Sequence, residues 1–403
     1  MNKVIAYIVS NPGSNDARVF KMVNAAASRG YKVHLFGTLK PGFLPYENNG
    51  NITIHRLEWN PVKRLIQTNI IFKNLNFINK KLCRFTAKTI FPYIKYFLFS
   101  SIFADQISKV NPDIVHAHDL ICLPTARQVS KINKIPYIYD AHEYEIHRNP
   151  PLPILQKLYV FFIESLYSLN ASYVITIGRY YAAGIAKHIS SKKIKILYNS
   201  PVINKTSYNL RNDLKITDNK KIVLFVGKLT MNRGIEEVVK ILPSLPSNVV
   251  FATVGPCDDT QRKIFTNLAE KFNVSSRFTI LPPVPYDNVV DYIKEADLGI
   301  VSLLPIVKSY QYCMPNKLFE LSFANVPVLS NDLDEIREFL SEHGNGTAIN
   351  IEDPVLLNYY ISKLIKSKKE FKMSDKTYEK LKQNYSWDKQ LEKLFFIYSD
   401  TLK

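Results

Sequence analysis

Short apolar runs alternate with stretches of helical periodicity along almost the whole chain. This alternation predicts parallel sheets built from strand–helix–strand units. In the first half the predicted strands are Val4–Val9, Lys32–Gly37, Asp113–His116, Tyr137–Asp140, Tyr173–Ile177 and Ile194–Leu197. In the second half they are Ile222–Val226, Val249–Val254, Phe278–Leu281, Leu298–Val301, Pro327–Leu329 and Thr347–Asn350. Ligands of such sheets bind beyond the carboxyl ends of the strands, so candidate chemistry is expected in the loops that follow them.

A polar segment separates the two sets of strands. Residues 199–219 contain Pro201 and show no sustained periodicity, which is typical of a linker. We therefore predict an α/β protein with two Rossmann-like, doubly wound domains, over residues 1–205 and 206–371. Residues 372–403 are predicted to form C-terminal helices.

The composition excludes several classes of protein. With 403 residues and 46% hydrophobic positions, the chain is long enough for two domains and too apolar to be mostly disordered. No charge-free stretch approaches the ~20 residues of a membrane-spanning helix, and the start leads directly into a strand, so no signal peptide is expected. The four cysteines form no C-x-x-C pair, which argues against a zinc ribbon or disulfide scaffold and favours the cytosol.

The positive charge is concentrated in the first half of the chain. Residues 1–205 contain 27 Lys/Arg and 10 Asp/Glu, whereas residues 206–403 contain 26 and 25. No acidic residue occurs between Glu58 and Asp105, and the cations of this window alternate with aromatic residues. We favour an anionic membrane surface as its partner. Plain core helices with solvated lysines are the alternative, and nucleic acid, which such a composition could also bind, is not expected as a partner.

The first strand of the second domain leads into a loop with two cations. Its sequence is Gly227-Lys228-Leu229-Thr230-Met231-Asn232-Arg233-Gly234, and a helix is predicted to follow. Free N–H groups at a helix start already favour anions, so the pair of cations indicates a diphosphate site. A surface turn with two incidental cations is the alternative interpretation.

A second loop–helix junction follows later in the chain. It reads Met314-Pro315-Asn316-Lys317-Leu318-Phe319-Glu320 and is predicted to start a helix that carries one acid, Glu320. Backbone N–H groups at such a start can hold phosphate, and a carboxylate one turn inside can accept hydrogen bonds from a ribose diol. The alternative is that Glu320 merely provides favourable charge near a helix N-terminus.

The first domain supplies histidines and acids at two strand ends. His116-Ala117-His118-Asp119 ends one strand and Asp140-Ala141-His142-Glu143 ends another. The H-x-H-D spacing could suit a metal, but no third strong ligand follows at the right distance, so no metal site is predicted. His142 could act as a general base or simply close its strand with a hydrogen bond. The acids of Asp332-Leu333-Asp334 are expected to cap a helix.

Together these loops resemble the donor site of retaining glycosyltransferases of family 4. In the family pattern G-R-x-x-x-x-K-G, Lys228 and Arg233 occupy the two cation positions with their identities swapped. Glu320 matches the second Glu of the family's E-x7-E motif, while Tyr312 replaces the first. The form P-N-K-L-F-E resembles a subgroup found among bacterial capsule and O-antigen transferases. The likeness extends over essentially the whole chain, including Asp16–Val19, Phe278–Val284 and Ser386-Trp387.

The resemblance implies a GT-B fold, with the two domains facing each other across a cleft and the tail helices returning to the first. It implies that Gly227, Lys228, Arg233 and the backbone at Asn316 and Lys317 bind the diphosphate. Glu320 would bind the ribose, Pro283 and Val284 the base, and Tyr312 would lie where the family contacts the donor sugar. His142 would position the reacting centre, so the expected catalytic residues are His142, Arg233 and Lys228. The expected acceptor side comprises Gly13, Arg18, His118, Asp119 and Glu143.

The expected function is therefore sugar transfer with retention from a nucleotide diphosphate sugar, with UDP favoured. The expected acceptor is a lipid-linked glycan of cell-surface polysaccharide synthesis, at the inner face of the cell membrane, with no cofactor or metal. A nucleotide-sugar epimerase of the same shape is one alternative. A non-catalytic, membrane-associated partner of a polysaccharide assembly complex is another, because Tyr312 replaces a family Glu.

Overall fold

The computed structural model describes residues 3–13, 16–60, 77–189 and 194–403, with the side chains of residues 77–89 left out. The chain forms two compact units. The first unit comprises Met1–Leu197 and Leu391–Lys403, and the second comprises Tyr198–Gln390.

The first unit is a sheet covered by helices. Its strands are β1 (Val4–Ile8), β2 (Lys32–Leu39), β3 (Tyr46–Asn49), β4 (Ile52–Glu58), β5 (Ile114–His118), β6 (Tyr137–Asp140), β7 (Tyr173–Thr176) and β8 (Ile194–Ile196). Its helices are α1 (Ala17–Ser28), α2 (Phe77–Ser108), α3 (Asp119–Asn133), α4 (Ile154–Ser168) and α5 (Arg179–Ile185). The sheet order is β3-β4-β2-β1-β5-β6-β7-β8, parallel except for the β3–β4 pair.

The second unit is also doubly wound. Its strands are β9 (Lys221–Val226), β10 (Val249–Val254), β11 (Phe278–Leu281), β12 (Leu298–Val301), β13 (Val328–Asn331) and β14 (Gly346–Ile349). Its helices are α6 (Leu210–Leu214), α7 (Ile235–Ile241), α8 (Asp259–Lys271), α9 (Val289–Ile293), α10 (Lys308–Gln311), α11 (Asn316–Phe323), α12 (Asp334–His343), α13 (Pro354–Lys366) and α14 (Asp375–Tyr385). Helix α15 (Trp387–Thr401) begins in this unit and continues into the first.

The strand order of each sheet defines where ligands can bind. In the second unit the order β11-β10-β9-β12-β13-β14 is parallel throughout and reverses between β9 and β12. In the first unit the corresponding reversal lies between β1 and β5. Such reversals open a crevice at the carboxyl ends of the two central strands, because the connections leave in opposite directions. Loops after these strands are therefore the places to examine.

All twelve predicted strands are present, and the sequence analysis missed two. These are β3 and β4, a hairpin whose turn contains Gly50 with φ +64°, a conformation that favours glycine. The alternation of Ile52 and Ile54 with the polar Thr53 and His55 was a signal for β4. The pair extends the sheet beyond β2, away from the site region.

The unit boundaries differ from the predicted ones. The first unit ends at Leu197 rather than at residue 205, because Tyr198 is held in the second unit. Its hydroxyl lies 3.1 Å from Glu335 Oε1, and its backbone N–H donates to Gln390 Oε1 over 3.2 Å. The tail joins the first unit from Leu391 rather than from residue 372. There Tyr398 is fully buried, with its hydroxyl 2.6 Å from the Tyr7 hydroxyl and 2.7 Å from His116 Nδ1.

The acid-free window contributes largely to the core where its side chains are described. Tyr96, Phe99 and Phe103 are buried, and only Ile90 and Phe97 are exposed large hydrophobics in this part of α2. This outcome favours the core-helix interpretation for residues 90–104. The window's cations at 63, 64, 73, 80, 81, 84 and 88 lie outside the described side chains. No helix among the described residues is both long and apolar enough to cross a membrane.

Candidate functional site

In the first unit, charged side chains meet at the carboxyl ends of β5 and β6. Arg18 extends from α1, which follows β1, and Asp140 is the last residue of β6. Arg18 donates from Nε to Asp140 Oδ2 over 2.9 Å and from Nη2 to Oδ1 over 3.0 Å. A third bond reaches the Leu197 carbonyl over 2.9 Å. Burial alone would raise the pKa of Asp140, but Arg18 and the neighbouring histidines hold it well below its usual range.

The histidines of β5 lie beside this ion pair. His118 Nδ1 is 3.4 Å from Asp140 Oδ2, and His116 Nε2 is 4.0 Å from the same oxygen. Burial lowers the pKa of both histidines. The side chains of His116, His118 and Asp140 could together present metal ligands. However, Arg18 occupies both oxygens of Asp140 and adds a positive charge, so the donor set fits an ion pair better than a cation site.

His142 is placed between two carboxylates. Its Nε2 is 3.3 Å from Asp119 Oδ2, and its Nδ1 is 3.8 Å from Asp140 Oδ1. Burial alone would lower the pKa of His142, but Asp119 and Asp140 raise it to about 10. Burial in turn raises the pKa of Asp119, against the influence of His142. A protonated imidazole is a hydrogen-bond donor and not a base, so the general-base alternative for His142 is disfavoured.

The other first-unit candidates lie at the same sheet edge. Gly13 follows β1 with φ +85°, and its N–H donates to Asn11 Oδ1 over 2.7 Å. Glu143 is exposed after β6, and its carbonyl accepts a 2.7 Å hydrogen bond from the Tyr181 hydroxyl. The strand ends thus gather Gly13, Arg18, His118, Asp119, His142 and Glu143 at the carboxyl edge of one sheet.

In the second unit, the loop from Gly227 to Gly234 follows β9, beside the strand reversal. Leu229 is fully buried and its N–H donates to the Pro256 carbonyl over 2.9 Å, while the Asn232 N–H donates to Glu236 Oε1 over 2.6 Å. These bonds fix the loop backbone. Lys228 is exposed and Arg233 is half-buried, and neither forms a hydrogen bond or ion pair within the described part of the chain.

Glycine is required at two close approaches around this loop. A Cβ at Gly234, where φ is +76°, would lie 2.5 Å from Ser302 Oγ. A Cβ at Gly255, where φ is +151°, would lie 2.1 Å from the Gly227 carbonyl oxygen. Both contacts join loops that follow neighbouring strands, so a side chain at either position would displace the cation loop.

The start of α11 reaches the same region from β12. Pro315 at the N-cap provides no side-chain cap, and within the described residues the N–H groups of Asn316 and Lys317 have no hydrogen-bond partner. The Lys317 Nζ lies 3.8 Å from the centroid of the Phe225 ring, near the end of β9. This contact brings the two predicted loops together. Glu320 is half-buried and lies in the second turn of α11, one turn further in than the free N–H groups.

The remaining donor-side candidates lie on neighbouring loops. Pro283 is exposed and Val284 half-buried in the loop after β11, two strands away from β9 in the sheet order. Tyr312 is half-buried directly after α10, on the connection between β12 and α11. Asp332 and Asp334 do not cap α12, contrary to prediction. Both instead pair with the exposed Arg337, and Leu333 is at the cap position.

Sequence reasoning missed the contribution of three side chains to these two clusters. Asp140 was noted only as a strand end, although it holds Arg18 and polarises His142. Lys317 was considered for its backbone N–H and not for its side chain. Ser302 directly follows β12 and lies against Gly234, with its Oγ buried and without a partner in the described residues. An acid that ends an apolar strand was a usable signal for Asp140. No pattern in the sequence indicated that the Lys317 side chain is buried.

Two family models match this chain. Residues 17–200 match the model described as Glycosyltransferase Family 4, and residues 207–385 match the model described as Glycosyl transferases group 1. The two matches follow each other along the chain.

Relatives and solved structures point in the same direction. An uncharacterised glycosyltransferase of Methanocaldococcus jannaschii is 22% identical over 71% of this chain and 75% of its own length. A protein of Bacillus subtilis named as a putative teichuronic acid biosynthesis glycosyltransferase, TuaC, is 25% identical to this chain. The match covers 58% of this chain and 56% of TuaC. Sucrose-phosphate synthase of Thermosynechococcus elongatus has a TM-score of 0.76, with 15% identity and coverage of 99% and 98% of the two chains. Anabaena HepE, solved with UDP and glucose, has a TM-score of 0.68, with 14% identity and coverage of 99% and 100%.

Proposed function

We propose that this chain transfers a sugar, with retention, from a UDP-sugar to a lipid-linked glycan. The two glycosyltransferase family models that match consecutive parts of the chain, and its GT-B fold, support a glycosyltransferase of the GT-B type. The acceptor would belong to cell-surface polysaccharide synthesis, at the inner face of the membrane. The observation that carries the donor half of this proposal is the group of cations at the strand reversal of the second unit. The charged groups of Lys228, Arg233 and Lys317 form no hydrogen bond or ion pair within the described residues, so an anionic ligand would complete the site.

Two similar proteins support the choice of UDP and of a cell-surface acceptor. The Anabaena neighbour was solved with UDP and glucose, and the Bacillus relative is named for an anionic cell-surface polymer. Tyr312 in place of the family's acid bears on the donor sugar and leaves the phosphate and ribose contacts in place. The donor sugar is therefore the least constrained part of the proposal.

The proposed reaction breaks the bond between the sugar C1 and the diphosphate oxygen. The acceptor hydroxyl oxygen forms the new bond to C1 on the same face, and its proton passes to a donor phosphate oxygen. Negative charge grows on the departing diphosphate, where Lys228, Arg233 and the N–H groups of Asn316 and Lys317 would stabilise it. Fixed donors aimed at developing charge commonly provide the largest catalytic contribution. His142 would act as a cationic hydrogen-bond donor held in place by Asp119 and Asp140.

Among the described residues, helix α4 supports a membrane-facing surface. The helix exposes a row of large apolar side chains at helical spacing: Ile154, Leu155, Leu158, Phe161, Phe162 and Leu166. Its opposite face, with Val160 and Ile163, is buried. An exposed apolar row on the domain with the excess of positive charge is complementary to an anionic lipid surface. We propose that α4 inserts at the surface of the membrane that carries the acceptor.

The test of the proposed activity is a donor panel. Nucleotide diphosphate sugars that bind will raise the unfolding temperature by mass action, and the best of them is then incubated with the protein without acceptor. Slow release of free sugar is expected of a transferase. Interconversion of the sugar nucleotide would instead indicate an epimerase. Absence of any donor binding or turnover across the panel would contradict the proposal and favour a non-catalytic partner.

A further inference from the structure

The side chain of Lys317 is buried without an obvious stabilising partner. Only 6% of the residue is exposed, and Nζ has no hydrogen-bond partner in the part of the chain that the structure describes. The Phe225 ring lies against the amine, with its centroid 3.8 Å from Nζ. A buried ammonium group that forms no hydrogen bond or ion pair is costly, and an anionic ligand beside it would offset that cost.

The position of this amine links the two donor-site loops. Lys317 is the second residue of α11, whose first N–H groups are free within the described residues. Phe225 is the penultimate residue of β9, which leads into the Gly227–Gly234 loop. Because β9 and β12 pair directly, the amine lies at the strand reversal where a diphosphate is expected.

We infer that Lys317 is a proton-linked phosphate ligand: its amine takes up a proton as the donor diphosphate enters and becomes a third cation beside Lys228 and Arg233. This inference rests on the proposed donor site and adds a role for the side chain. Lys228 is exposed and Arg233 is half-buried, so solvent reaches both side chains without a ligand, whereas the Lys317 amine is buried. Lys317 is the member of the group whose charge depends on the ligand.

The surroundings of the amine determine its protonation. Burial and the charge of Arg233 lower the pKa of Lys317 to about 7, while Cys313 and Glu320 act in the opposite direction. These groups face the amine from the cation loop, from the segment before α11 and from α11 itself, and β9 contributes only the uncharged Phe225 ring. A diphosphate would add negative charge beside the amine and raise its pKa again.

The direction of the pH effect follows from these charges. Below about pH 6 the amine is already protonated in the free protein, so donor binding takes up no proton. Near pH 8 the free amine is mostly neutral, and binding takes up close to one proton per site. Donor affinity then falls as the pH rises above about 7, by as much as tenfold per pH unit while the bound form stays protonated.

The experiment measures proton uptake by titration calorimetry in buffers of different ionisation enthalpy. The probe is UDP-glucose, because its diphosphate is esterified at both ends and does not itself titrate in this range. The wild-type protein is expected to take up close to one proton per molecule bound at pH 8 and none at pH 5.5. In Lys317→Met the uptake should disappear and affinity at pH 6 should fall about tenfold or more. Lys317→Arg should bind at pH 8 without uptake, and Lys263→Met, an exposed lysine of α8, should behave like the wild type.

These measurements distinguish the failure of the Lys317 inference from the failure of the proposed donor site. Unchanged affinity and proton uptake in Lys317→Met would reduce Lys317 to a structural amine over Phe225 and leave the proposed function intact. Failure of both UDP-glucose and inorganic pyrophosphate to bind the wild type at any pH would remove the donor site, and with it both proposals. Thermal unfolding without ligand checks that the variants fold. Because the pKa of the amine is depressed in the folded protein, wild-type stability should rise relative to Lys317→Met between pH 7 and pH 10.

Discussion

The two sheets carry clusters of charge at equivalent places, the carboxyl ends of their central strands, but the clusters are completed in different ways. In the first unit, Arg18 and Asp140 satisfy each other through two short hydrogen bonds, and both side chains are buried. In the second unit, the charged groups of Lys228, Arg233 and Lys317 form no hydrogen bond or ion pair with other described residues. The two charges of an ion pair already neutralise each other, whereas a group of cations without counter-charges attracts an anion.

This difference separates positioning from binding. The first cluster holds His142 in place through Asp140 and Asp119, and its charges are internal to the unit. The second cluster leaves its charges for a ligand, on a backbone fixed by Leu229, Glu236 and two glycines. Substitutions in the first cluster should therefore act mainly on stability, and substitutions in the second mainly on donor binding and turnover.

The largest effect is expected from breaking the matched pair. Asp140→Asn leaves the Arg18 guanidinium buried without its counter-charge, which should lower the free energy of unfolding by about 3–5 kcal/mol. Denaturant unfolding measures the change, and Glu143→Gln, an exposed neighbour, is the control and should stay within about 0.5 kcal/mol. An Asp140→Asn protein as stable as the wild type would show that the pair does not hold the first unit together.

Substitutions among the cations of the second unit should lower activity and leave stability nearly unchanged. Arg233→Ala removes a half-buried cation without breaking a hydrogen bond or ion pair between described residues, so stability should change little. The rate of sugar transfer should fall by about 10²-fold or more, the scale seen when one fixed charge-stabilising donor is removed. Lys228→Ala should act in the same direction. Steady-state transfer rates provide the test, and wild-type rates in both variants would exclude this loop from the site.

Glu320 tests whether the site extends from the phosphates to the ribose. A carboxylate–hydroxyl hydrogen bond is worth roughly 1.5–3 kcal/mol, so Glu320→Gln should weaken binding of the free nucleotide and of the full donor alike. Calorimetric affinities for both ligands provide the measurement. If stability falls while both affinities stay unchanged, Glu320 only contributes charge to α11.

The charge state of His142 tests the positioning role of the first cluster. In the wild type its imidazole should stay protonated at neutral pH, because Asp119 and Asp140 raise its pKa to about 10. Asp119→Asn removes one of these carboxylates and should lower that pKa by at least about one unit, or ~1.4 kcal/mol. Histidine NMR titration follows the change, with His142→Gln to assign the resonance. A wild-type His142 that titrates near 6.5 would refute the role of Asp119 and Asp140 in keeping its imidazole protonated.

Much of the fold could be predicted from the sequence because buried parallel strands give continuous apolar runs. The β3–β4 hairpin was missed because half of it, Tyr46–Asn49, is polar and lies at the sheet edge. The cations at 228 and 233 could be identified because their loop follows a strand and precedes a helix. The role of the Lys317 side chain could not, since burial of a lysine depends on tertiary packing and leaves no pattern in the chain. The same holds for the membrane surface, where aromatic content alone did not distinguish the core of α2 from the exposed face of α4.

The smallest effect is expected at the exposed face of α4, on the unit with the excess of positive charge. The first 205 residues have a large positive excess and the rest are nearly neutral, and α4 adds exposed apolar side chains to the basic part. Phe162 is 64% exposed, so Phe162→Ser should leave the fold intact. Its partial insertion among lipid headgroups is worth about 1 kcal/mol, so the variant should bind anionic vesicles roughly fivefold more weakly.

Vesicle sedimentation with and without anionic lipid measures this change, and Tyr359→Ser, an equally exposed aromatic residue of α13 in the neutral unit, is the matched control. Salt should weaken the wild-type binding because the screening length of ~8 Å at physiological ionic strength shortens further. The control should bind like the wild type, since α13 lies on the unit without the positive excess. Equal weakening by both substitutions would mean that any exposed aromatic residue contributes, and the assignment of α4 as the membrane-facing helix would then fail.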